Sequence, residues 1–393
     1  MTESRPALGV GMIGYAFMGR VHSQAWRAVG AFFDLPVAPV MAVLSGRSAE
    51  RTAAAAAQLG WAAVETDWKE LVKREDVHIV DICTPGDSHA EIAIAALEAG
   101  KHVLCEKPLA NTVEEAEAMV AAAERAAARG VRSMVAFNYR RVPAVALARQ
   151  MVAEGRIGEI RHVRAQYLQD WITDPEFPLV WRLQKDKAGS GALGDIASHI
   201  VDTAQFITGQ VITGVSGLTE TFVKRRPLAE ESAGLSAAGG GGATGEVTVD
   251  DAALFTARLS GGAVASFEAT RFVTGRKNAM RIEVNGSLGS IAFDFESMNE
   301  LWFYDQNLQA EEAGFRRIYV TESGHPYAGA WWPPGHGLGY EHTFTHEVKD
   351  FLEAVGNGTD PAPSFADGLR VQRVLAAVER SAADDSRWTT VDG

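Results

Sequence analysis

The sequence predicts a doubly wound parallel α/β domain followed by an α+β domain with a large, mainly antiparallel sheet. Three observations carry this. Short apolar runs alternate with longer helix-like segments up to about residue 138; a glycine-spaced turn follows the first run; and from residue 211 apolar and polar residues alternate with period two between Gly-rich turns. At 393 residues the chain exceeds what one hydrophobic core usually supports, so two domains are expected, 1–138 and 139–393.

The runs 8–13, 39–44, 78–83, 102–105 and 131–137 are rich in Val, Ile, Leu and Met, as strands buried on both faces require. Between them lie RVHSQAWRAVG, AERTAAAAAQLG, SHAEIAIAALEAG and TVEEAEAMVAAAERAAARG, each close to a Gly stop. The last opens with Thr112 and Glu115 at capping-box spacing. After Tyr139, helix-like PAVALARQMVAEG and DIASHIVDTAQFITG frame a strand-like region over 157–171. The runs DDAALFTARLS, AVASFEATRF, NAMRIEVNG and GSIAFDFE then follow one another through short turns, which suggests antiparallel pairing. The small-residue segment RPLAEESAGLSAAGGGGATGE (226–246) interrupts them and is expected to be a mobile loop.

Fifty acidic against 37 basic residues give a formal charge of −13, which argues against nucleic-acid binding. Cys83 and Cys105 lie in apolar runs and are too few for a disulfide framework, so a reducing compartment is expected. No signal-like segment opens the chain and no apolar run reaches membrane-spanning length; a cytoplasmic protein is the expectation.

The stretch GVGMIGYAFMG contains two glycine registers. Gly9, Gly11 and Gly14 satisfy G-x-G-x-x-G, yet Val10, Met12 and Ile13 belong to a buried strand. Ending that strand at Ile13 makes the turn Gly14-Tyr15-Ala16-Phe17-Met18-Gly19, after which a helix begins where its amides can hold phosphate. This is the dinucleotide turn of a Rossmann domain, with Ala16 narrowing the approach; an ordinary strand–turn–helix is the alternative. A carboxylate at the end of the second strand normally selects NAD. Here Ser45, Gly46, Arg47 and Ser48 precede Glu50, so Arg47, with Ser45 or Ser48, suits a 2′-phosphate and NADP, unless it is merely a surface arginine.

Two further stretches bear chemistry. GKHVLCEKPLA ends a strand at Glu106-Lys107-Pro108, and GSGALGDIASHIVD sets Asp195 and His199 four apart, on one helix face. Alone, Asp195 reads as an N-cap and His199 as a satisfied helix histidine. Together with GYAFMG, DICTPGDSHAEIAIAALEAGKHVLCEKPLA and FNYRR, however, they make nearly the whole chain resemble the Gfo/Idh/MocA oxidoreductases. FNYRRVPAVALA, YLQDW, PLVWRLQK and AGSGALGDIASH look like that family's levoglucosan dehydrogenase branch, which oxidises a pyranose ring hydroxyl.

The resemblance implies an NAD(P)-dependent dehydrogenase acting on a sugar, anhydrosugar, glycoside or inositol. It makes His199 the base for the hydroxyl proton and Asp195 its orienting carboxylate. Lys107 hydrogen-bonds the reacting oxygen and the cofactor, aimed by a cis bond before Pro108. Thr84, Pro85, His89 and Glu106 are nucleotide contacts by the same resemblance. Asn138, Tyr139, Tyr167 and Gln169, with Arg140 and Asp170 nearby, are candidates for substrate, and Trp181, Arg182 and Lys185 for a far wall. Each of these has an equally good packing or surface-pair reading. The family's common Asn after Thr-Pro is replaced by Gly86, which puts one cofactor contact in doubt. Relatives form homodimers and homotetramers, so a homo-oligomer is implied.

His342, His346 and Glu347 lie at helical spacing but lack the HExxH order, and with Phe344, Val348 and Phe351 suggest an amphipathic helix with surface histidines rather than a metal site. Trp331 and Trp332 read as packing or sugar stacking. Two competing functions remain: a glycosidase using NAD transiently, and a non-catalytic cofactor-sensing regulator. A proton-transfer pair counts against the regulator.

Overall fold

The computed structural model describes residues 5–233 and 236–392. They form two compact units, one of residues up to Asn138 with Tyr340–Leu369, the other of Tyr139–Gly339 with residues from Arg370 on.

The first unit alternates β1 (Ala7–Ile13), α1 (Phe17–Phe32), β2 (Ala38–Ser45), α2 (Ala49–Leu59), β3 (Ala63–Glu65), α3 (Trp68–Lys73), β4 (Ile79–Ile82), α4 (His89–Glu98), β5 (His102–Glu106), α5 (Val113–Ala127) and β6 (Ser133–Ala136). The strands pair in parallel in the order β3-β2-β1-β4-β5-β6. The order reverses at β1, whose neighbours are β2 and β4, and such a switch point opens the ligand crevice of a doubly wound sheet. Val10, Met12, Ile79 and Leu104 are wholly buried, as the uninterrupted apolar runs require. The capping box expected at α5 forms, with Thr112 accepting from the Glu115 amide and Glu115 from Thr112. β3 escaped the sequence reading because three residues show no period.

The second unit begins with α6 (Pro143–Ala153), β7 (Ile160–Leu168) and α7 (Lys185–Ala188). A π-helical turn, Leu193–Ala197, then runs into α8 (Ser198–Thr208). There follow β8 (Ile212–Glu220), β9 (Arg225–Ala233), β10 (Ser236–Glu246), β11 (Ala252–Leu259), β12 (Val264–Thr270), β13 (Ala279–Gly286), β14 (Gly289–Asp294), β15 (Glu300–Asp305) and β16 (Arg316–Tyr319). After them come α9 (Tyr340–Asn357), α10 (Phe365–Ala383) and β17 (Thr389–Thr390). Nine strands make one sheet in the order β16-β15-β14-β13-β7-β12-β11-β8-β17, antiparallel throughout except for β7 against β12. Alternate residues of β11 are buried, while Leu218, Leu254 and Trp302 remain exposed on the other face.

Three expectations are corrected. Residues 226–246 are not a loop: β9 and β10 pair as an antiparallel hairpin, with Gly234 and Leu235 outside the described residues. Small side chains do not prevent a ladder that uses only backbone groups. The base of the hairpin is anchored by buried Arg226, which donates to the carbonyls of Ile172 (2.6 Å), Asp174 (2.7 Å) and Phe177 (3.1 Å). Second, 340–369 groups with the first unit, not with 139–339. The cause is apolar: Phe344, Val348, Phe351 and Leu352 of α9 share a buried cluster with Trp26 and Val29 of α1. Third, the histidines of α9 are not a surface pair, because His346 and Glu347 are fully buried.

In β5, His102 accepts the Arg132 amide on Nδ1 at 2.9 Å, which requires an unprotonated nitrogen. Burial, then the Arg132 charge, lower its pKa to about 4. The unfolded chain therefore takes up this proton first, and stability should fall as pH drops from about 6.5 towards 4. Denaturant midpoints measured across that window should show the fall, and His102→Gln should reduce its slope.

Candidate active site

The first unit presents the glycine turn at the carboxyl end of β1. Ile13 ends the strand and Phe17 begins α1, the second of the two registers. Gly14 has φ +101°, where a side chain is strained, and a Cβ there would stand 2.7 Å from the Cys83 carbonyl oxygen. A Cβ on Gly19 would stand 2.2 Å from the carbonyl of Gly14. Both glycines let α1 start directly over the strand end. Gly9 and Gly11 serve packing instead, since a Cβ would meet the Asp76 carbonyl at 1.8 Å or the Leu71 side chain at 2.7 Å. No side chain caps the start of α1, and its first turn holds no acidic residue. Its leading amides and positive dipole end therefore suit an anion. Ala16 and Phe17 are exposed, whereas Tyr15 and Met18 are half-buried.

Beyond β2, Arg47 is exposed. Ser45 is buried, and its carbonyl accepts the Gly14 amide at 3.0 Å. The Ser48 hydroxyl caps α2 by accepting from the Arg51 amide. Gly46 makes room for Tyr15, whose Cε1 would lie 2.1 Å from a Cβ there.

The segments after β4 and β5 are tied together by His89. Its Nε2 faces the Thr84 carbonyl at 2.9 Å and its Nδ1 the Pro108 carbonyl at 3.0 Å. Both ring nitrogens face backbone carbonyls, so His89 braces Thr84-Pro85 against the Lys107–Pro108 turn. The Lys107–Pro108 bond is cis. Ser88 adds a hydroxyl bond to Thr84 Oγ1 at 2.7 Å. At Gly86 a Cβ would lie 2.4 Å from Asn111 Oδ1, so the side chain of Asn111 fills the space an Asn at 86 would need. Asn138 is buried and donates through Nδ2 to Thr343 Oγ1 at 3.0 Å, bracing α9 within the same unit.

In the second unit, Asp195 lies in the π-helical turn and His199 in the first turn of α8. π-turns of this kind frequently mark functional sites. The His199 ring packs against Tyr139 (centroids 4.6 Å apart) and Tyr167 (5.9 Å). Tyr139 and Tyr167 hydroxyls are 2.6 Å apart, Tyr167 donates to Asn278 Oδ1 at 2.7 Å, and Gln169 donates to the same oxygen at 3.0 Å. Trp171 donates to Gln169 Oε1 at 3.0 Å. Three of the residues predicted for substrate, Tyr139, Tyr167 and Gln169, therefore converge beside His199 around an asparagine that the sequence reading missed. Burial pushes the Tyr139 hydroxyl up to about 12, opposed by its bonds to Tyr167 and Asn278, so it remains protonated at neutral pH.

Two more residues were missed. Arg271 is fully buried, with Nη1 3.6 Å from Asp195 Oδ2 and Nη2 donating to the Asp250 carbonyl at 3.2 Å. Asp250 accepts the amides of Gly191 (2.7 Å) and Leu193 (2.8 Å), gripping the turn that leads into Asp195. Burial raises the pKa of its carboxyl, while Arg271 and both amides oppose the rise. Only charge pattern could have hinted at them, through DDAALF and TRF. Arg140, expected near the ligand, makes a buried ion pair with Asp202 at 2.5 Å. Asp170 is held by Lys277 at 2.7 Å and by the Gly275 amide. Arg182 stacks over Trp181, and Lys185 pairs with Glu379 at 3.2 Å.

Residues 8–137 match an oxidoreductase family with an NAD-binding Rossmann fold, and residues 145–292 match the GFO/IDH/MocA C-terminal domain. The chain is 45% identical over 390 residues to levoglucosan dehydrogenase of Pseudarthrobacter phenanthrenivorans, covering 98% of each chain. It resembles the solved oxidoreductase domain protein from Kribbella flavida at 65% identity and a TM-score of 0.94, over 99% of this chain and 100% of that one. It also resembles levoglucosan dehydrogenase in complex with NADH and levoglucosan, at 44% identity and a TM-score of 0.92, over 98% of this chain and 100% of that one. Among the described residues no helix is long and apolar enough to cross a membrane.

Asp250→Ala should strand two amides and cost about 3 kcal/mol or more, whereas Asp250→Asn, keeping one acceptor, should cost roughly half. Urea unfolding of both variants checks this; equal stability to the parent would remove the bracing role.

Proposed function

The chain belongs to the Gfo/Idh/MocA oxidoreductase family, and on that premise we propose that it oxidises a ring secondary hydroxyl of a sugar or anhydrosugar, with a nicotinamide dinucleotide as acceptor. The observation that carries this reading is the cluster of Tyr139, Tyr167, Gln169 and Asn278 beside His199. It combines hydroxyl and amide groups, which pair with a polyol, with an imidazole suited to moving a proton.

The Gly14–Gly19 turn and the amides at the start of α1 fit a pyrophosphate: Gly14 and Gly19 leave no room for a Cβ, and the helix start carries no cap of its own. Thr84, Pro85 and Glu106 border the same carboxyl edge of the sheet. When bound, the dinucleotide supplies the hydride acceptor.

The remaining work falls to this chain. Making a ketone from a secondary alcohol requires the hydroxyl proton to leave, and a ring nitrogen of His199 accepts it. Asp195 orients the imidazole and stabilises the imidazolium, while Arg271 keeps that carboxylate in place. Lys107 donates to the reacting oxygen and favours its developing negative charge. Arg47, exposed with no carboxylate before Glu50, supports acceptance of a 2′-phosphate and hence NADP. The exposed sheet face carrying Leu218, Leu254 and Trp302 supports self-association as a homodimer or homotetramer, which the mass in solution tests.

A panel of pyranosides, anhydrosugars and inositols, followed by NAD(P)H absorbance, tests the substrate class. Stoichiometric reduction is expected, and turnover without net reduction would point instead to transient oxidation. His199→Ala and Lys107→Ala should each lower kcat by about 10²–10⁴-fold with nucleotide affinity nearly unchanged. Normal turnover in either overturns its assigned role. Arg47→Ala should weaken NADP by about tenfold and leave NAD within about twofold; equal effects remove the coenzyme preference.

A further inference from the structure

In the core of the first unit lies a charged cluster that the proposed reaction does not use. His22, one turn into α1 from Gly19, is wholly buried between Asp81 of β4 and Glu106 at the end of β5. Its Nδ1 is 3.0 Å from both Asp81 oxygens, and its Nε2 is 2.9 Å from Glu106 Oε1. Trp26 donates to Asp81 Oδ2 at 2.7 Å, and the Cys83 thiol points at Asp81 Oδ1 at 3.6 Å. From α9 the ring of Phe344 packs against His22, their centroids 5.4 Å apart. Cys105 is a further titratable neighbour.

His22, Asp81 and Cys83 lie within 4.8 Å of one another, a spacing that could serve a metal. The hydrogen bonds argue otherwise. Each ring nitrogen faces a carboxylate, so both act as N–H donors and no lone pair is left for an ion. Burial by itself lowers the imidazole pKa, but the Asp81 charge, the neighbouring Cys83 and the hydrogen bonds to both together outweigh it and leave the pKa well above its ordinary value. A buried charge triad of this kind is seldom more stabilising than apolar residues of the same volume, so its geometry invites another explanation.

That explanation lies at the far oxygen. Glu106 Oε2 accepts the backbone N–H of Lys107 at 3.1 Å. We propose that His22 is a positioning residue for Lys107: by gripping Glu106 Oε1 it holds Oε2 on the Lys107 amide, and so sets the backbone from which the Lys107 side chain projects. The proposal rests on the role given to Lys107 above.

His22→Gln, which loses the charge and one donor, is the test variant. Trp26→Phe perturbs the same buried cluster but leaves His22 and Glu106 in contact, and serves as the comparison. In His22→Gln, kcat should fall about 10–100-fold with KM for the dinucleotide within about twofold, the pattern of a misplaced group rather than lost binding. Exchange of the Lys107 amide should accelerate at least about tenfold. Trp26→Phe should lower the melting temperature yet leave both readouts within about twofold.

Unchanged kcat and amide exchange in His22→Gln overturn the proposal, as does an equal loss of kcat in Trp26→Phe. Should His22→Gln not fold, Glu106→Asp decides by amide exchange alone. One methylene shorter, its carboxylate cannot reach His22 Nε2 and the Lys107 amide together, so exchange should quicken, and parental exchange overturns the proposal. Lys107→Ala with normal turnover would instead remove the reading of the reaction, and the amide measurement would still judge the positioning.

Discussion

The close approach of α1 to the end of β1 is the constraint on which the first unit depends. It exists because neither Gly14 nor Gly19 carries a Cβ: the carbonyl of Gly14 occupies the place that a side chain on residue 19 would take. That contact sets the uncapped amides of α1 beside the switch point between β2 and β4. It also brings His22, three residues past Gly19, down onto Asp81 and Glu106. One steric allowance thus serves both an anion-receiving surface and a buried ionic connection beneath it.

The second unit orders its polar residues by a different device. Buried arginines bind backbone carbonyls and neighbouring carboxylates where helix and strand ladders leave off. Arg226 gathers three carbonyls of the 172–177 segment, Arg271 joins Asp195 to the Asp250 carbonyl, and Arg140 pairs with Asp202. Guanidinium suits this work because its fork offers several donors in one plane and stays charged when buried. Arg226 Nε and Arg271 Nε and Nη1 are buried without a hydrogen bond among the described residues, so part of the cost of removing these charges from water stays uncompensated. Of the three, Arg271 bears on the turn that carries Asp195.

The two histidines of the first unit that touch the Glu106–Pro108 turn do so from opposite sides. His89 holds the Pro108 carbonyl and the Thr84 carbonyl, and His22 holds the Glu106 carboxylate. Lys107 lies between these two anchors. A flexible four-carbon side chain gains little directional precision from its own torsions, so a well-held backbone is the economical way to aim its ammonium group.

Local pattern determined a good deal by itself. Apolar runs bounded by glycine placed β1, β2, β4, β5 and β6; the Thr112–Glu115 spacing announced the capping box; and the strand's end at Ile13 chose between the two glycine registers. These features depend on neighbours in sequence, whose spacing the chain states openly. Contacts between distant segments were decided only in the tertiary structure. Polar and small residues made β9 and β10 look like a loop, although backbone pairing and Arg226 make them a hairpin. α9 showed its apolar stripe, but not that Trp26 and Val29 would receive it and draw 340–369 into the first unit. Asn278 carries no local signal, Arg271 and Asp250 offer only their charge, and His89 showed its type but not its partners. Side-chain period reports which face is buried; it cannot report against what, because that depends on which surfaces meet when the whole chain has packed.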